Sequence, residues 1–419
     1  MNASAGNSAS LGKPCHVLLI TSYYSPILSA ATHLMKDLAE GLVDGGCQVT
    51  VLTNRPATAS ALPPDDPRLA GHILRTRNPF LRRLGALAKV CEYLWFIAFF
   101  LVRGLLVPKV DIIFVVSTPP LSGIPAAFLA KMKGAKLVYN LQDIFPDSAV
   151  VAGMLSARGQ AFRWLQKAEH FSYRVSDVVA AISTGFSEHV QRVVPGTVVA
   201  TIPNWIDTDH VRPRVVSEDP AIAEFRQGGG FVVQYAGNMG FMQNLEVVLG
   251  AAVCLKDHPD IRFVFIGDGN AKQNLLALAR QQGLSNCAFL PLQPLERVPS
   301  VYNACDLGVI PLKPGAAEIA VPSKTWNYLA AGRPVICCVE EGSVLACVVR
   351  ESGSGVVVQP TDAEGLARLI LEYHRSPERV VTEGRHGRDY VVKHLSRRIA
   401  IQSYLRTFQQ LLGTPAGEM

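Results

Sequence analysis

The sequence is poor in charge and has no long apolar run. Only 18% of its 419 residues are Asp, Glu, Lys or Arg, whereas 49% are hydrophobic. This composition supplies ample material for packed cores and excludes an intrinsically disordered protein. The continuous apolar stretch at 94–102 is far shorter than the roughly 20 residues that a membrane-spanning helix needs. We therefore expect a folded chain that does not cross a membrane.

The nine cysteines lack the spacing of a disulfide framework or a zinc site. Their number is odd, none stand as C-x-x-C, and two of them, Cys337 and Cys338, are adjacent. The first 14 residues are polar and lack the basic start and apolar centre of a secretory signal, so we interpret them as a disordered leader. These observations predict a cytoplasmic protein.

Long runs of one charge are also missing. Lys and Arg number 40 against 34 Asp and Glu, and no basic run resembles a nucleic-acid-binding arm. Nucleic acid is therefore not an expected partner. The mild positive excess favours the inner membrane surface as the anionic partner.

Short apolar runs alternate with helical periodicity along most of the chain, a pattern typical of parallel α/β sheets. A second series starts at Phe231, after a polar, glycine-rich stretch at 217–230 that we interpret as an interdomain connection. The chain also exceeds the roughly 250 to 300 residues at which one core stops growing. The sequence predicts two doubly wound Rossmann-like domains facing a central cleft, at 15–210 and 211–390, with a final helix in 391–419 packing back on the first domain.

The element predictions follow from the same pattern. Strands are predicted in the run 16–25 and at 49–53, 111–116, 136–140, 177–182, 198–202, 231–235, 262–266, 288–290, 307–311, 334–338 and 355–358. Helices are predicted at 124–131, 158–173, 185–193, 245–255, 271–282, 299–304, 324–331, 343–351, 363–374 and 396–412.

Residues 78–107 interrupt the alternation with a segment rich in aromatic side chains and flanked by basic ones. A helix lying in the membrane interface explains this composition, and so does a buried helix between two strands. The aromatic content favours the membrane. The residues predicted to meet the membrane or a membrane-bound acceptor are Arg82, Arg83, Trp95, Phe96, Phe99 and Phe100.

Two glycine-containing turns, at 237–240 and 267–269, follow strands of the second series. Glycine lets the backbone approach a ligand closely, and amides at a helix N-terminus bind anions. A plain strand-to-helix turn explains the second equally well, whereas the first follows the first strand of its sheet, where phosphate loops occur. Neither turn completes G-x-G-x-x-G, which disfavours an NAD-dependent enzyme. The candidate residues are Gly237, Asn238, Met239, Gly240, Gly267, Asp268 and Gly269.

A lysine is predicted in the first turn of a helix that follows Pro322 and Ser323 and ends at a Gly-Arg-Pro sequence, 332–334. A cation is unfavourable beside the positive end of a helix dipole unless an anion binds there. Lys324 and neighbouring amides therefore predict a diphosphate cradle. The alternative is a solvated surface lysine.

In this order the motifs resemble the donor domain of a family-4 retaining glycosyltransferase of GT-B fold. The match includes both glycine turns, Ala-Cys-Asp-Leu at 304–307, and Pro-Ser-Lys leading to Leu-Ala-Ala-Gly-Arg-Pro-Val-Ile at 329–336. Ile-Pro-Asn-Trp-Ile-Asp at 202–207 resembles the family's interdomain Pro-Asn-x-x-Asp segment. Within the family, the chain most resembles capsule and exopolysaccharide enzymes of the colanic acid or O-antigen amino-sugar transferase type.

The resemblance implies a nucleoside diphosphate sugar, UDP-linked by family habit, bound by the second domain, and a polyprenyl-linked or polysaccharide acceptor bound by the first. It implies transfer with retention, without a metal or a cofactor. Lys324, Ser323 and the amides of the first glycine turn would stabilise charge on the leaving diphosphate. Asn327 stands where the family has a glutamate that holds the donor ribose, and an amide still hydrogen-bonds a hydroxyl.

Two expected cations are absent, because Asn238 and Met242 stand where many members carry Arg and Lys. Their loss keeps a second hypothesis open: a catalytically silent member acting as a scaffold in a polysaccharide assembly complex. In the first domain, Asp143 is a candidate to accept the proton of the acceptor hydroxyl, with a structural turn as the alternative. His33 is a candidate to face the sugar, with a structural role as the alternative.

Overall fold

The structure is a computed structural model that describes residues 15–25, 32–55, 66–77, 85–151, 153–226, 230–318 and 322–413, with side chains at 85–89, 151 and 318 left undescribed. The chain forms two compact units. Unit 1 comprises residues 1–204 and 398–419, and unit 2 comprises residues 205–397. The expected boundaries, after residues 210 and 390, lie a few residues away from these.

Both units contain a parallel sheet. The strands are β1 His16–Ile20, β2 Gln48–Asn54, β3 Ile73–Thr76, β4 Ile112–Val116, β5 Lys136–Leu141, β6 Val178–Ala181, β7 Val199–Thr201, β8 Phe231–Ala236, β9 Ile261–Ile266, β10 Cys287–Leu290, β11 Leu307–Pro311, β12 Val335–Cys338 and β13 Gly355–Val358. Within the described ranges the order is β3-β2-β1-β4-β5-β6-β7 in unit 1 and β10-β9-β8-β11-β12-β13 in unit 2.

Helices connect the strands. They are α1 Thr32–Asp44, α2 Gly85–Leu106, α3 Gly123–Lys133, α4 Asp147–Val151, α5 Gln160–Val175, α6 Thr184–Val193, α7 Ala221–Arg226, α8 Leu245–Cys254, α9 Lys272–Gln281, α10 Val298–Asn303, α11 Lys324–Ala330, α12 Val344–Ser352, α13 Ala363–Arg375, α14 Pro377–His394 and α15 Arg397–Leu411. The doubly wound α/β architecture predicted from the sequence is confirmed.

The central strands are covered on both faces, and β1, β4 and β11 bury every side chain, which explains their continuous apolar runs. In β8, Val232 belongs to one core cluster of unit 2 and Val233 to the cluster on the opposite face. This alternation is the strand period of two residues. The sheet therefore holds two apolar layers apart and presents its strand ends at fixed positions.

Strand order reverses once in each sheet, between β1 and β4 in unit 1 and between β8 and β11 in unit 2. The connections on the two sides of such a point diverge to opposite faces of the sheet. The crevice that they leave at the carboxyl ends of the strands is where doubly wound sheets bind ligands. The two glycine turns and Lys324 follow β8, β9 and β11, so the fold brings them to this edge of unit 2.

The prediction that 217–230 is an interdomain connection is wrong. The stretch contains α7 and lies inside unit 2, and it anchors there through Ile222 and Phe225, which are 2% and 1% exposed. The sequence did not predict α7 because its two buried side chains are surrounded by polar residues and glycines. The chain passes between the units near Asn204 and again near Arg397.

The last helix belongs to unit 1. α15 buries Tyr404, Leu405 and Phe408, and the rings of Tyr404 and Phe408 lie 5.5 and 6.4 Å from that of Phe114 on β4. Edge-to-face aromatic contacts of this kind add to the apolar burial. α15 is therefore part of the core of unit 1.

The aromatic segment forms α2, and its side chains divide between core and surface. Phe96 and Phe100 are 1% and 0% exposed, and their rings pack 5.7 Å apart in the core. The prediction that these two meet the membrane is therefore wrong, because a helix places residues four apart on one face. Trp95 is half-exposed and donates from Nε1 to Thr76 Oγ1 at 2.9 Å. Phe99 is partly buried against the same core.

Arg82 and Arg83 lie outside the described residues. Among the residues that the structure does describe, no helix combines the length and the apolar character needed to cross a bilayer.

Candidate functional site

Lys324 is the first residue of α11, on the connection that follows β11. Its ammonium donates to the phenolic oxygen of Tyr235 at 2.6 Å and to Gln243 Oε1, and it lies 4.2 Å from the centre of the Tyr235 ring. Its Cε lies 3.3 Å from the position that a Cβ on Gly237 would occupy. The structure therefore brings Lys324 across the first glycine turn.

The charge of Lys324 is not neutralised by the groups around it. Its contacts are a phenol and an amide, and no carboxylate in the described ranges forms an ion pair with it. Burial lowers the pKa of Lys324 to about 7 because desolvation disfavours the ammonium form. An anion bound beside Lys324 would raise its pKa, favour the ammonium form and accept a charge-assisted hydrogen bond from it.

The two glycine turns are locked together by backbone hydrogen bonds. Gly237 N donates to Ile266 O at 2.9 Å, Met239 N donates to Asp268 O at 2.8 Å, and Ala271 N donates to Met239 O at 3.0 Å. Each turn therefore fixes the conformation of the other. The sequence pattern predicts the two turns separately and gives no sign of this pairing.

Pairing decides which amides are available to a ligand. The Met239 N–H is taken by Asp268 O and its side chain is fully buried, so the prediction that this amide binds phosphate is wrong. The amides of Asn238 and Gly240 form no hydrogen bond within the described part of the chain. Asn238 is exposed and Gly240 half-exposed. These two amides are the backbone donors left beside Lys324.

Gly267 and Gly269 make this close pairing possible. Both have positive φ values, 150° and 157°, a region that side chains disfavour. A Cβ on Gly267 would lie 1.9 Å from Gly237 O, and one on Gly269 would lie 2.5 Å from Met239 O. Asp268, between them, is exposed, and its Oδ1 accepts from Gly269 N at 2.9 Å. The second turn therefore supports the first.

Gly267→Ala is expected to lower the free energy of unfolding by about 1–3 kcal/mol, from backbone strain and displacement of the first turn. Gly342→Ala is the matched control, because Gly342 has open space around its Cβ position. Chemical denaturation of both variants measures the difference. Equal stability of the two variants would show that the first turn can move away from Gly267 at little cost in free energy.

The remaining donor-side candidates lie at the start of α11. Ser323 precedes the helix, but its side chain makes no capping hydrogen bond. Asn327 lies one turn beyond Ser323, and its Nδ2 donates to Ser323 O at 3.3 Å. Both side chains are half-exposed. The structure therefore groups Ser323, Lys324 and Asn327 at one end of a short helix.

Asp143 follows β5 in unit 1 and precedes α4. Ser148 donates from Oγ to Asp143 Oδ2 at 2.8 Å. Burial raises the pKa of Asp143 despite that hydrogen bond. A carboxylate with a raised pKa is a better proton acceptor near neutral pH.

An amide network fixes the backbone beside Asp143. Gln142 Nε2 donates to Asn140 Oδ1 at 2.7 Å, and Asn204 Nδ2 donates to Gln142 Oε1 at 2.8 Å. Asn140 Nδ2 donates to the hydroxyl of Tyr404 on α15 at 3.0 Å. Gln142 and Asn140 together therefore join β5, the Pro-Asn segment and the final helix.

His33 is the second residue of α1, which follows the strand at the reversal point of unit 1. Burial lowers the pKa of His33 to about 4, so its imidazole is neutral at pH 7. Within the described residues, neither a hydrogen bond nor an ion pair joins His33 to Asp143. A neutral imidazole can donate and accept hydrogen bonds but supplies no charge.

A buried carboxyl group that sequence analysis missed lies beneath the Asp143 segment. Glu169 is 1% exposed, and Tyr139 donates from its hydroxyl to Glu169 Oε1 at 2.7 Å. Burial is the main cause that raises the pKa of Glu169 to about 7, and the charge of Asp143 adds to it. Helical spacing is the sequence feature that could have revealed Glu169. Ser172 and Tyr173, three and four residues later on the same face of α5, are also buried.

Asp207 and Asp209 have the Asp-x-Asp spacing of some metal sites. Here Asp207 Oδ1 accepts from the amides of Asp209 and His210 at 3.0 and 2.9 Å, so this carboxylate stabilises a turn. Across the described ranges, no three His, Cys, Asp or Glu side chains are grouped to hold a metal ion.

The two halves of the chain match two families of known proteins. Residues 30–205 match the glycosyl transferase 4-like domain, and residues 219–388 match glycosyl transferases group 1. Together the two ranges cover most of the chain. The junction between them falls where the structure passes from unit 1 to unit 2.

Two curated relatives are also named as glycosyltransferases. WbjE of Pseudomonas aeruginosa, named as a probable glycosyltransferase, is 29% identical over 264 residues, which is 62% of this chain and 66% of that protein. WcaI of Escherichia coli (strain K12), a glycosyl transferase named for colanic acid biosynthesis, is 28% identical over 277 residues, 63% of this chain and 68% of that protein. The alignments span about two thirds of these relatives.

Among solved structures, Anabaena Alr3699/HepE in complex with UDP and glucose aligns with a TM-score of 0.70 at 17% identity, covering 94% of this chain and 99% of that one. A likeness at this identity concerns the fold. With both halves matched and both doubly wound units present, the chain belongs to the group 1 glycosyltransferases of GT-B fold.

Proposed function

We propose that this glycosyltransferase moves a sugar, with retention, from a UDP-linked donor to a polyprenyl-linked or polysaccharide acceptor during assembly of a cell-surface glycan. The observation that carries the proposal is the Lys324 ammonium at the strand-order reversal of unit 2. It has no carboxylate partner within the described ranges and lies across the turn that offers the amides of Asn238 and Gly240. That HepE is described in complex with UDP supports the choice of nucleotide.

The donor set suits the chemistry of a departing nucleoside diphosphate. As the glycosidic bond breaks, negative charge accumulates on the diphosphate, and fixed donors aimed at it stabilise the transition state. Lys324 supplies a cation and the two amides supply hydrogen bonds. Because burial lowers the pKa of Lys324 to about 7 in the free protein, donor binding takes up a proton above that pH.

Thermal unfolding with UDP, GDP, ADP, dTDP and their sugars tests the proposal. We expect UDP to raise the melting temperature, since a ligand at a hundred times its Kd stabilises by about 2.7 kcal/mol. Lys324→Ala should remove the shift, whereas Lys256→Ala, a change at an exposed lysine, should retain it. No shift with any nucleotide would contradict the enzyme and favour the silent scaffold.

We propose that the acceptor is met at the inner face of the membrane, on a surface formed by α2 and α3, with the protein in the cytoplasm. Large apolar side chains are exposed there, including Leu94, Val102 and Leu106 on α2 and Phe128 and Met132 on α3. Exposed apolar surface on this scale marks an interaction site.

Charge on the same helices favours a bilayer as the partner. Arg103 and Lys131 are exposed on α2 and α3. Arg103 also borders an apolar cavity of about 300 Å³ between Trp95 and Val102. Basic side chains beside exposed apolar ones suit an anionic phospholipid surface.

Replacing Leu94, Val102 and Leu106 together with Ser is expected to release the protein from anionic liposomes, because burial of apolar surface in the interface is lost. Flotation of wild type and variant measures the change. The control replaces three exposed apolar residues of unit 2, Leu292, Val381 and Val392, with Ser. Equal flotation of all three proteins would contradict the membrane surface.

A further inference from the structure

A second lysine emerges from the same connection as Lys324. β11 ends at Pro311, and Lys313 follows it at the reversal point between β8 and β11. Its backbone N–H donates to Met242 O at 3.0 Å, which fixes it beside the short 3-10 turn Phe241–Gln243. Lys313 therefore lies at the edge of unit 2 where the donor site is proposed.

The two lysines hold one turn. Lys324 donates to the side chain of Gln243, and Lys313 donates from its backbone to the carbonyl of Met242, the preceding residue. The side chain of Met242 is half-buried and packs against the apolar core. The side chain of Met242 is thus directed into the core, and the two lysines bond to Met242 and to the next residue, Gln243.

The ammonium of Lys313 is free to meet a ligand. The side chain is half-exposed, and its Nζ lies 5.9 Å from the centre of the exposed Phe241 ring. No carboxylate within the described residues forms an ion pair with it. A weak contact with an aromatic face leaves the charge available.

We infer that Lys313 is a second phosphate-binding cation of the donor site and supplies the charge that Met242 does not. The inference rests on the proposed function. A nucleoside diphosphate carries more than one negative charge, so one lysine does not neutralise it. Lysine binds phosphate as a flexible point charge and can act from a neighbouring backbone position. Lys313, on the connection after β11, thus supplies the positive charge that Met242 lacks.

The test measures Kd for UDP and for uridine with the full chain, by calorimetry, in wild type, Lys313→Ala and Lys313→Arg. We expect Lys313→Ala to weaken UDP binding by about tenfold to a hundredfold, the effect of one charged hydrogen bond. Lys313→Arg should retain most of the affinity. Uridine should bind all three proteins equally, because it has no phosphate. Lys256→Ala is the control for loss of an exposed lysine.

The outcomes separate the two proposals. Unchanged UDP affinity in Lys313→Ala, with affinity lost in Lys324→Ala, would overturn the role of Lys313 and leave the donor site in place. An equal loss of UDP and uridine affinity would assign Lys313 a structural role and also overturn the inference. If wild type binds no nucleoside diphosphate at all, the proposed function and this inference fail together.

Discussion

Lys324→Met is expected to lower the rate of sugar transfer by about a hundredfold to a thousandfold, the usual effect of removing one fixed donor to a charge that develops in the transition state. Methionine keeps the length and apolar character of the side chain but removes the charge. The lost interaction strengthens as the diphosphate departs, so the loss should appear in kcat as well as in kcat/KM.

The stability of this variant separates chemistry from folding. Because burial disfavours the ammonium of Lys324, its removal should not lower the melting temperature of the ligand-free protein. Initial rates at saturating donor and thermal unfolding without ligand provide the two readouts, with Lys256→Met as the control. A rate within tenfold of wild type in a folded variant would show that Lys324 is not part of the transfer machinery.

Glu169→Gln is expected to stabilise the protein at pH 8 and to have little effect at pH 4.5. Burial raises the pKa of Glu169 from 4.5 to about 7, so between these values the folded protein binds a proton that the unfolded chain releases. Wild type therefore loses stability as pH rises from about 4.5 to 7, by about 3 kcal/mol from this group alone. Glutamine mimics the protonated carboxyl and does not ionise.

Chemical denaturation of wild type and Glu169→Gln at the two pH values measures the effect. Glu378→Gln, at an exposed position of α14, is the control for removing a carboxylate. Because Glu169 is protonated in the fold at low pH, the difference in unfolding free energy between variant and wild type should grow with pH. A gain that is the same at pH 4.5 and pH 8, or is below about 1 kcal/mol at pH 8, would show that Glu169 is ionised in the fold at little cost.

The sequence predicted the central strands well because they are buried on both faces, whereas it did not predict β3, an edge strand with three half-buried residues. The strand at 307–311 was predicted with the bounds that β11 has, and the one at 231–235 is one residue short of β8. Continuous apolar runs of this length, separated by helical periodicity, have few other interpretations. The order of the strands also followed the rule for doubly wound sheets.

Helix α14 was missed because two of its three buried residues are glycines. Gly384 and Gly387 lie where it packs on α11, and a Cβ on Gly384 would lie 2.1 Å from Gly332 O. An apolar stripe is the sequence signal of a packed helix, and glycine provides none. The glycines allow close approach of α14 to α11, and Val391 adds side-chain burial to it.

The candidate donor site was predicted in its parts but not in its interactions. Residue type and position in the sequence indicate Lys324 and both glycine turns. The residues around Met239 do not indicate that its amide donates to Asp268 O. The partners of Lys324, Tyr235 and Gln243, come from other segments of unit 2. Contacts between distant segments depend on the assembled sheet, so a single sequence does not specify them.

The place of α15 in unit 1 has a consequence for biosynthesis. Its apolar residues Tyr404, Leu405 and Phe408 complete the core of a unit whose last strand ends at Thr201. The ribosome makes all of unit 2 before it makes α15, so unit 2 can fold while unit 1 still has an uncovered apolar face. A nascent chain with such a face is prone to aggregate and is a substrate for chaperones. Slower translation of the segment encoding unit 2 would lengthen that exposure.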